Sequence, residues 1–257
     1  MLCKDIIKIL EAQSPPEYAE DWDNVGLLVG RKNKKIKKIM LAVDATYEVC
    51  QAAIEGGVDM IITHHPMIFS KMNRVNDDTI LGNKVLALVE AGIVCYAMHT
   101  NFDTKGGMAK EAAAMLRLKN TEVLQETHNG EGLGQIGILK DVVPLDELAC
   151  VVKECFDIEK VMVYGKADKP VEKIAICPGS GKSVITTAIE KGADCLITGD
   201  IGHHDGLDAL EMGLTIIDAS HYGIEKLFMT FMYNYLKDFC PGVELSIADV
   251  GAPFRVI

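Results

Sequence analysis

The chain has 257 residues, with 26 Lys+Arg against 37 Asp+Glu, so its formal charge at pH 7 is 26 − 37 = −11. Hydrophobic residues make up 49% and charged residues 25%. That balance excludes a disordered chain and allows one large α/β domain or two of ordinary size. The acidic balance excludes broad binding to nucleic acid or an anionic membrane, both of which need a basic face. It leaves room for one small anionic ligand in a locally positive pocket.

Eight cysteines lie at 3, 50, 95, 150, 155, 177, 195 and 240, with no CxxC pair. Several sit in apolar strand-like runs, which predicts buried reduced thiols rather than a disulfide or zinc–thiolate framework. Residues 1–5 carry no signal-peptide pattern, and no apolar stretch approaches the roughly 18 residues of a membrane span. A soluble cytoplasmic protein is expected.

Apolar runs alternate with helix-like segments along the chain. Residues 39–43 read as a strand, 47–55 as a helix stopped by Gly56-Gly57, and 60–63 as a short buried strand. Then come a helix at 79–91 ended by Gly92, a strand at 93–97 and a helix at 108–118. Within 130–169, residues 136–139 are strand-like, 145–156 helical and 161–164 strand-like. This segment is too short for an inserted domain and is expected to extend the first sheet or bridge two lobes. The rhythm resumes with a strand at 173–177, a helix at 183–190, a strand at 195–198, a helix at 207–212 and a strand at 215–218. A long helix over 223–239 and a tail with a strand within 244–257 complete the series. Alternation of this kind predicts parallel strands covered by helices.

The two halves are related residue by residue. Residues 38–63 align without gaps on 173–198 at an offset of 135, and 10 of the 26 positions are identical. Chance at ordinary composition gives roughly two. The shared Ala-Ile-Glu-x-Gly-x-Asp goes beyond the generic needs of a parallel sheet, so a duplicated βαβ unit is expected. The expected architecture is α/β, with a first lobe over 1–125 and a second over 126–257, the latter including a short bridging segment (126–170).

Six of the seven histidines fall just past the carboxyl end of a predicted parallel strand, the edge at which open α/β sheets bind ligands. They are His64 and His65, His99, His203 and His204, and His221. Two of the clusters share a spacing, His99-x-x-x-Asp103 and His221-x-x-x-Glu225, which on a helical turn puts imidazole and carboxylate on one face. Both are good ligands for Zn, Fe, Mn or Ni. His64, His65, Asp103, His221 and Glu225 exceed what one metal needs and fit two metals about 3.5–4 Å apart. Ligands drawn from both repeats predict a site in the cleft between the lobes. His203 and His204 read as pocket walls, as ligands in a variant site or as surface residues, with pocket walls preferred.

Pro178-Gly179-Ser180-Gly181-Lys182-Ser183 joins a strand to a helix start. It reads either as an anion cradle of backbone N–H groups or as a tight turn with Ser183 capping the helix. It is not a Walker A loop, since Ile176 stands where the first glycine belongs. Trp22, the single tryptophan, reads as a packing anchor.

Five motifs in this order resemble the NIF-three-like family, also catalogued as GTP cyclohydrolase 1 type 2 homologues. They are Asp21-Trp22-Asp23-Asn24-Val25-Gly26-Leu27, Thr63-His64-His65-Pro66, His99-Thr100-Asn101-Phe102-Asp103, Pro178-Gly179-Ser180-Gly181 and Ser220-His221-Tyr222-Gly223-x-Glu225. The resemblance implies two α/β lobes, a homohexameric ring and two divalent metal ions per chain. One ion would take His65, Asp103 and Glu225, the other His64, His221 and Glu225, with Glu225 bridging. His99 would neighbour the site rather than ligate firmly; as the catalytic candidate, it or a ligand carboxylate would shuttle protons. Asn24, Gly179, Ser180, Gly181, His203 and His204 are the candidate substrate-binding residues, for a small phosphorylated or nucleotide-like ligand. Some members carry an extra domain between the lobes, which this chain lacks. The expected activity is metal-dependent hydrolysis; the alternative is a non-catalytic metal-binding scaffold.

Overall fold

A computed structural model describes residues 1–254 and divides the chain into two units. Unit 1 comprises Met1–Gly106 and Phe228–Gly251; unit 2 comprises Gly107–Leu227 and the residues from Ala252 on. The units thus part at Gly106/Gly107 rather than near residue 125, and the chain returns to unit 1 near its end.

Unit 1 opens with helix α1 (Cys3–Gln13), which the sequence reading passed over. Its buried residues are Cys3, Ile6, Ile7 and Leu10, an i, i+3, i+4, i+7 stripe. The sheet follows as β1 (Gly26–Val29), β2 (Lys38–Ala42) and, after helix α2 (Tyr47–Glu55), β3 (Met60–Thr63). Helix α3 (Ile80–Glu90) then leads to β4 (Val94–Ala97). Every residue of β3 and β4 is buried, as continuous apolar runs in a parallel sheet should be. Thr46 caps α2 by accepting from the Val49 amide at 3.1 Å. The core collects Val49, Cys50, Ala53, Ile61, Leu88 and Cys95. A π-helical turn, Phe102–Gly106, ends this stretch.

Unit 2 contains α4 (Met108–Met115), β5 (Lys119–His128), β6 (Glu131–Pro144), α5 (Leu145–Phe156), β7 (Met162–Tyr164) and β8 (Pro170–Ser180). After a 3-10 turn at Lys182–Val184 come α6 (Ile185–Glu190), β9 (Cys195–Gly199), α7 (His203–Glu211), β10 (Thr215–Asp218) and α8 (His221–Glu225). Asn129 and Gly130, both with positive φ, turn β5 into β6, as Asn-Gly hairpins do. β6 pairs antiparallel with β8, so this segment extends the second sheet, not the first. The helix expected over 223–239 is interrupted at Lys226: α9 (Leu227–Phe239) continues it, and β11 (Glu244–Ile247) then adds a parallel edge beside β2.

The first sheet has the order β1-β4-β3-β2-β11 and the second β5-β6-β8-β9-β10-β7. The duplication is visible in register. Ile39 faces Met60 and Leu41 faces Ile62; their partners at +135 repeat this, Ile174 facing Cys195 and Ile176 facing Ile197. It also reaches the antiparallel edge strands. Val29 faces Cys95 as Tyr164 faces Ile216, and 164 − 29 = 135. Each repeat is clamped by one aspartate. Asp59 Oδ2 accepts from the amides of Lys37 and Lys38 at 2.8 and 3.2 Å, and Asp194 Oδ2 accepts from those of Glu172 and Lys173 at 3.0 and 2.8 Å. The glycines two residues before them, Gly57 (φ +62) and Gly192 (φ +71), make the left-handed turn after the helix.

All eight cysteines are free. Six are buried, Cys155 is half-buried and Cys150 exposed. Burial pushes the Cys95 and Cys195 thiols up to about 12. Among the described residues no helix is long and apolar enough to cross a membrane.

Candidate metal centre

In unit 1, His64 and His65 continue from the end of β3, and His99 follows β4. One nitrogen from each of the three rings lies within 4.8 Å of the others. His64 is fully buried. Its ring packs against Phe228 at 5.4 Å and Phe102 at 6.2 Å, so an apolar wall fixes it. Its Nδ1 stands 2.8 Å from the Met98 carbonyl. A carbonyl only accepts, so Nδ1 carries the proton and Nε2 presents its lone pair. That Nε2 faces Asp103 Oδ1 at 3.5 Å.

The neighbouring rings follow the same rule with carboxylates. His65 Nδ1 lies 2.8 Å from Asp44 Oδ1, and His99 Nδ1 lies 2.9 Å from Asp23 Oδ1. The Asp23 side chain is fully buried. Burial alone would raise its pKa, but hydrogen bonds from His99 and Thr100 outweigh it and hold the carboxyl down at about 2. In unit 2, His221 Nδ1 lies 2.8 Å from Asp200 Oδ2, while its Nε2 faces the buried Glu225 at 3.1 Å. Asp200 (φ +56) and Ser220 (φ +60) both hold left-handed backbone beside this pair. Strain of that kind persists where surrounding structure enforces it.

All four imidazoles therefore have Nδ1 held by an acceptor and Nε2 presented as a donor atom for a metal, the orientation that outer-shell partners impose on metal-binding histidines. A lone pair facing a carboxylate oxygen at 3.1 or 3.5 Å is repulsive unless a proton or cation stands between them. The donor set thus fits a divalent cation such as Zn, Fe, Mn or Ni. Sequence reasoning missed the three orienting aspartates, Asp23, Asp44 and Asp200. Asp44 and Asp200 lie just past the ends of β2 and β9, the same sheet edge that singled out the histidines.

Residues 1–251 match the family described as Duf34/NIF3 (NGG1p interacting factor 3). The chain belongs to the DUF34/NIF3 family. It is 37% identical over 238 residues to a GTP cyclohydrolase 1 type 2 homolog of Clostridium acetobutylicum, covering 91% of this chain and 89% of the relative. It is 32% identical to the GTP cyclohydrolase 1 type 2 of Helicobacter pylori, over 100% of this chain and 99% of that one. Reduced HcgD from Methanocaldococcus jannaschii superposes with a TM-score of 0.85 at 30% identity, over 97% and 98% of the two chains. A Bacillus cereus protein related to NIF3 superposes with a TM-score of 0.92 at 24% identity, over 100% and 99%, a likeness of fold.

The remaining expected residues sit differently in this DUF34/NIF3 chain. β8 runs on through Ser180, and the glycines there make room for side chains. A Cβ on Gly179 (φ +73) would stand 2.3 Å from Glu225 Oε1, and one on Gly181 would stand 2.1 Å from Thr198 Oγ1. Ser180 is exposed. The α6 N-terminus has no side-chain cap, so Ser183 does not fill that role. Asn24 donates its side-chain amide to the Ile68 carbonyl, tying two loops together. His203 and His204 open α7 as exposed neighbours, ring centroids 5.1 Å apart. Trp22, expected as a packing anchor, is 59% exposed. The matched spacing of His99/Asp103 and His221/Glu225 is also offset in register. Ala97 faces Thr63 and Asp218 faces Thr198, so His99 lies two residues past its strand and His221 three.

Proposed function

We propose that this chain is a metal-dependent hydrolase whose donors, drawn from both units, bind two divalent ions. One ion takes His65, Asp103 and Glu225; the other takes His64, His221 and Glu225. The observation that carries this reading is the common orientation of four imidazoles, each with Nδ1 held and Nε2 presented. Neither unit has a complete set alone: unit 1 is rich in imidazole, and unit 2 supplies the buried carboxylate Glu225. Such a pair of ions, when bound, polarises the substrate and brings the pKa of water toward neutrality. His99, held at Nδ1 by Asp23, takes or gives a proton at Nε2. Asp44 and Asp200 keep His65 and His221 in the metal-binding tautomer. The names of the Clostridium and Helicobacter relatives make opening of the GTP imidazole ring the first reaction to assay. A homohexamer in the cytoplasm, where eight thiols stay reduced, belongs to the same reading.

The test is elemental analysis of untagged protein prepared without chelator and supplemented with Fe, Zn, Mn and Ni. About two ions per chain are expected, and fewer than about 0.2 ends the reading. Glu225→Gln should lose metal and abolish GTP ring opening together. Full metal with no hydrolysis of GTP or of a panel of amides, cyclic amidines and phosphoesters would turn the reading toward a scaffold. Light scattering at six times the chain mass checks the ring.

A further inference from the structure

Two large aromatic side chains in unit 1 stand in solvent beside His99. Trp22 is 59% exposed and Phe69 54%. Their ring centroids are 5.9 Å apart, tilted by 57°. Each meets His99 edge-on, Trp22 at 6.1 Å and 74°, Phe69 at 6.4 Å and 75°. The three rings thus form a triangle rather than a line of scattered surface residues. Exposed aromatic surface of this kind is what a ligand or partner covers.

The triangle is also fixed in place. Asp23, next to Trp22, grips the His99 ring and accepts from the Thr100 amide at 3.0 Å. Asn24, on its other side, reaches the Ile68 carbonyl next to Phe69. The loops bearing Trp22 and Phe69 are therefore strapped to each other and to His99 by the residues that flank the rings. The second repeat lacks this device. At +135 from Trp22, Asp23 and Asn24 stand Asp157, Ile158 and Glu159, with no aromatic residue.

We propose that Trp22 and Phe69, tilted by 57° to each other, form an aromatic corner that takes the planar heteroaromatic ring of a ligand, stacked on one ring and met edge-on by the other, with His99 Nε2 at the ligand's polar edge. Aromatic faces favour a flat π-system over a sugar or an alkyl chain. The His99 ring supplies a hydrogen-bonding edge that a plain hydrocarbon would leave unused. A purine or similar fused heterocycle satisfies both demands, and a neutral ring meets no penalty from the net charge of −11. This substrate class rests on reading His99 as part of the reacting centre, yet ring binding itself needs neither metal nor turnover.

Trp22 is the only tryptophan, so its fluorescence reports on the corner directly. The 257-residue chain in excess chelator is titrated with guanosine, adenosine and ribose, with inner-filter correction. Saturable change in Trp22 emission with at least one nucleoside and none with ribose is expected. Phe69→Ala should weaken that binding about tenfold or more, and Phe69→Tyr should restore it to within about threefold. The proposal is overturned if neither nucleoside gives a saturable change, if ribose acts equally, or if Phe69→Ala binds as wild type while circular dichroism shows it folded. It is overturned as well if acrylamide fails to quench Trp22, since the corner would then be covered by another copy of the chain. Metal content is measured on the same preparations without chelator. Saturable binding with fewer than about 0.2 ions per chain would end the metal reading and leave the aromatic corner standing.

Discussion

The two repeats share a scaffold and differ at its rim. Strand register, the left-handed glycine after the helix and the clamping aspartate recur at an offset of 135. At the strand ends the chemistry diverges. Where unit 1 has Asp44, His64 and His65, unit 2 has Gly179, Gly199 and Asp200. In unit 1 an imidazole continues from β3, oriented by an aspartate beyond β2. In unit 2 the aspartate lies beyond β9 and the imidazole comes from α8, after the next strand. The swap requires the glycines, because the α8 backbone and Glu225 occupy the space that side chains hold in unit 1. The duplication keeps the residues that fold the sheet and varies those at the strand ends.

The strongest challenge to this contrast is to put a side chain where unit 2 omits one. A Cβ on Gly199 would stand 2.5 Å from the His221 amide nitrogen and from the Ser220 carbonyl carbon, both backbone atoms that cannot swing aside. Gly199→Ala should destabilise by about 3 kcal/mol, the upper part of the usual overpacking range. Its melting temperature should fall by about 6–10 °C. An unchanged melting temperature would mean that the α8 start is not held against β9. His64→Ala, at the matching position of unit 1, removes a ring instead and leaves a cavity. It should keep the fold while losing metal.

Gly179→Ala separates metal from fold in the same way. The added methyl meets the Glu225 carboxylate, the end of a side chain, and φ is +73. Stability should fall by about 1–2 kcal/mol, and metal affinity by about ten- to hundredfold as Glu225 is displaced. At the matching position, Asp44→Ala leaves His65 unoriented and should lower affinity within the same range with little loss of stability. Isothermal titration with Zn on both variants compares them; wild-type affinity in Gly179→Ala would remove Glu225 from the ligand set.

Much of this was legible in the sequence. The helix at 47–55 and the strands at 60–63 and 215–218 have the bounds expected of them, because short apolar runs between glycines in a parallel sheet leave little choice. The gapless repeat announced a duplication because it included the Gly57/Asp59 and Gly192/Asp194 turns, whose residue types are fixed by backbone geometry. The β5–β6 hairpin lies outside the expected elements although Asn129-Gly130 marks its turn; the strand expected over 136–139 covers only the apolar stretch of β6. The glycines of residues 178–181 read either as an anion cradle or as a tight turn, because a sequence alone does not tell whether a missing side chain makes room for a ligand or for a distant residue such as Glu225. Trp22 is the reverse case, a residue type usually buried that stands in solvent.

The clamping aspartates allow a finer comparison. Both accept two backbone amides, but Asp59 also meets Lys34 Nζ at 3.0 Å. Asp59→Asn should lose about 1–2 kcal/mol, as hydrogen bonds to a charged group are lost, and Asp194→Asn somewhat less. The sign with pH follows from Asp59. Burial opposes ionisation there, but the amide bonds and Lys34 prevail and lower its folded pKa. Its contribution is therefore present above the unfolded value of about 3.9 and is lost as pH falls below it. Wild type should lose stability over that acid range more steeply than Asp59→Asn in chemical denaturation; parallel curves would show that the carboxylate is not what holds the turn.

The smallest effect separates the two helices that follow the first strand of each repeat. Thr46 caps α2, and its counterpart at +135 is Gly181, which has no side chain and cannot have one while Thr198 stands where its Cβ would go. α6 is correspondingly short, six residues against nine in α2, and begins after a 3-10 turn with no side-chain cap. Thr46→Ala should therefore destabilise by about 1 kcal/mol. Ser183→Ala, although serine precedes that helix in sequence, should stay within about 0.5 kcal/mol of wild type. Equal losses in the two variants would show that Ser183 caps α6 in solution, and the divergence of the repeats would then begin at their ligand rim alone and spare the helix starts.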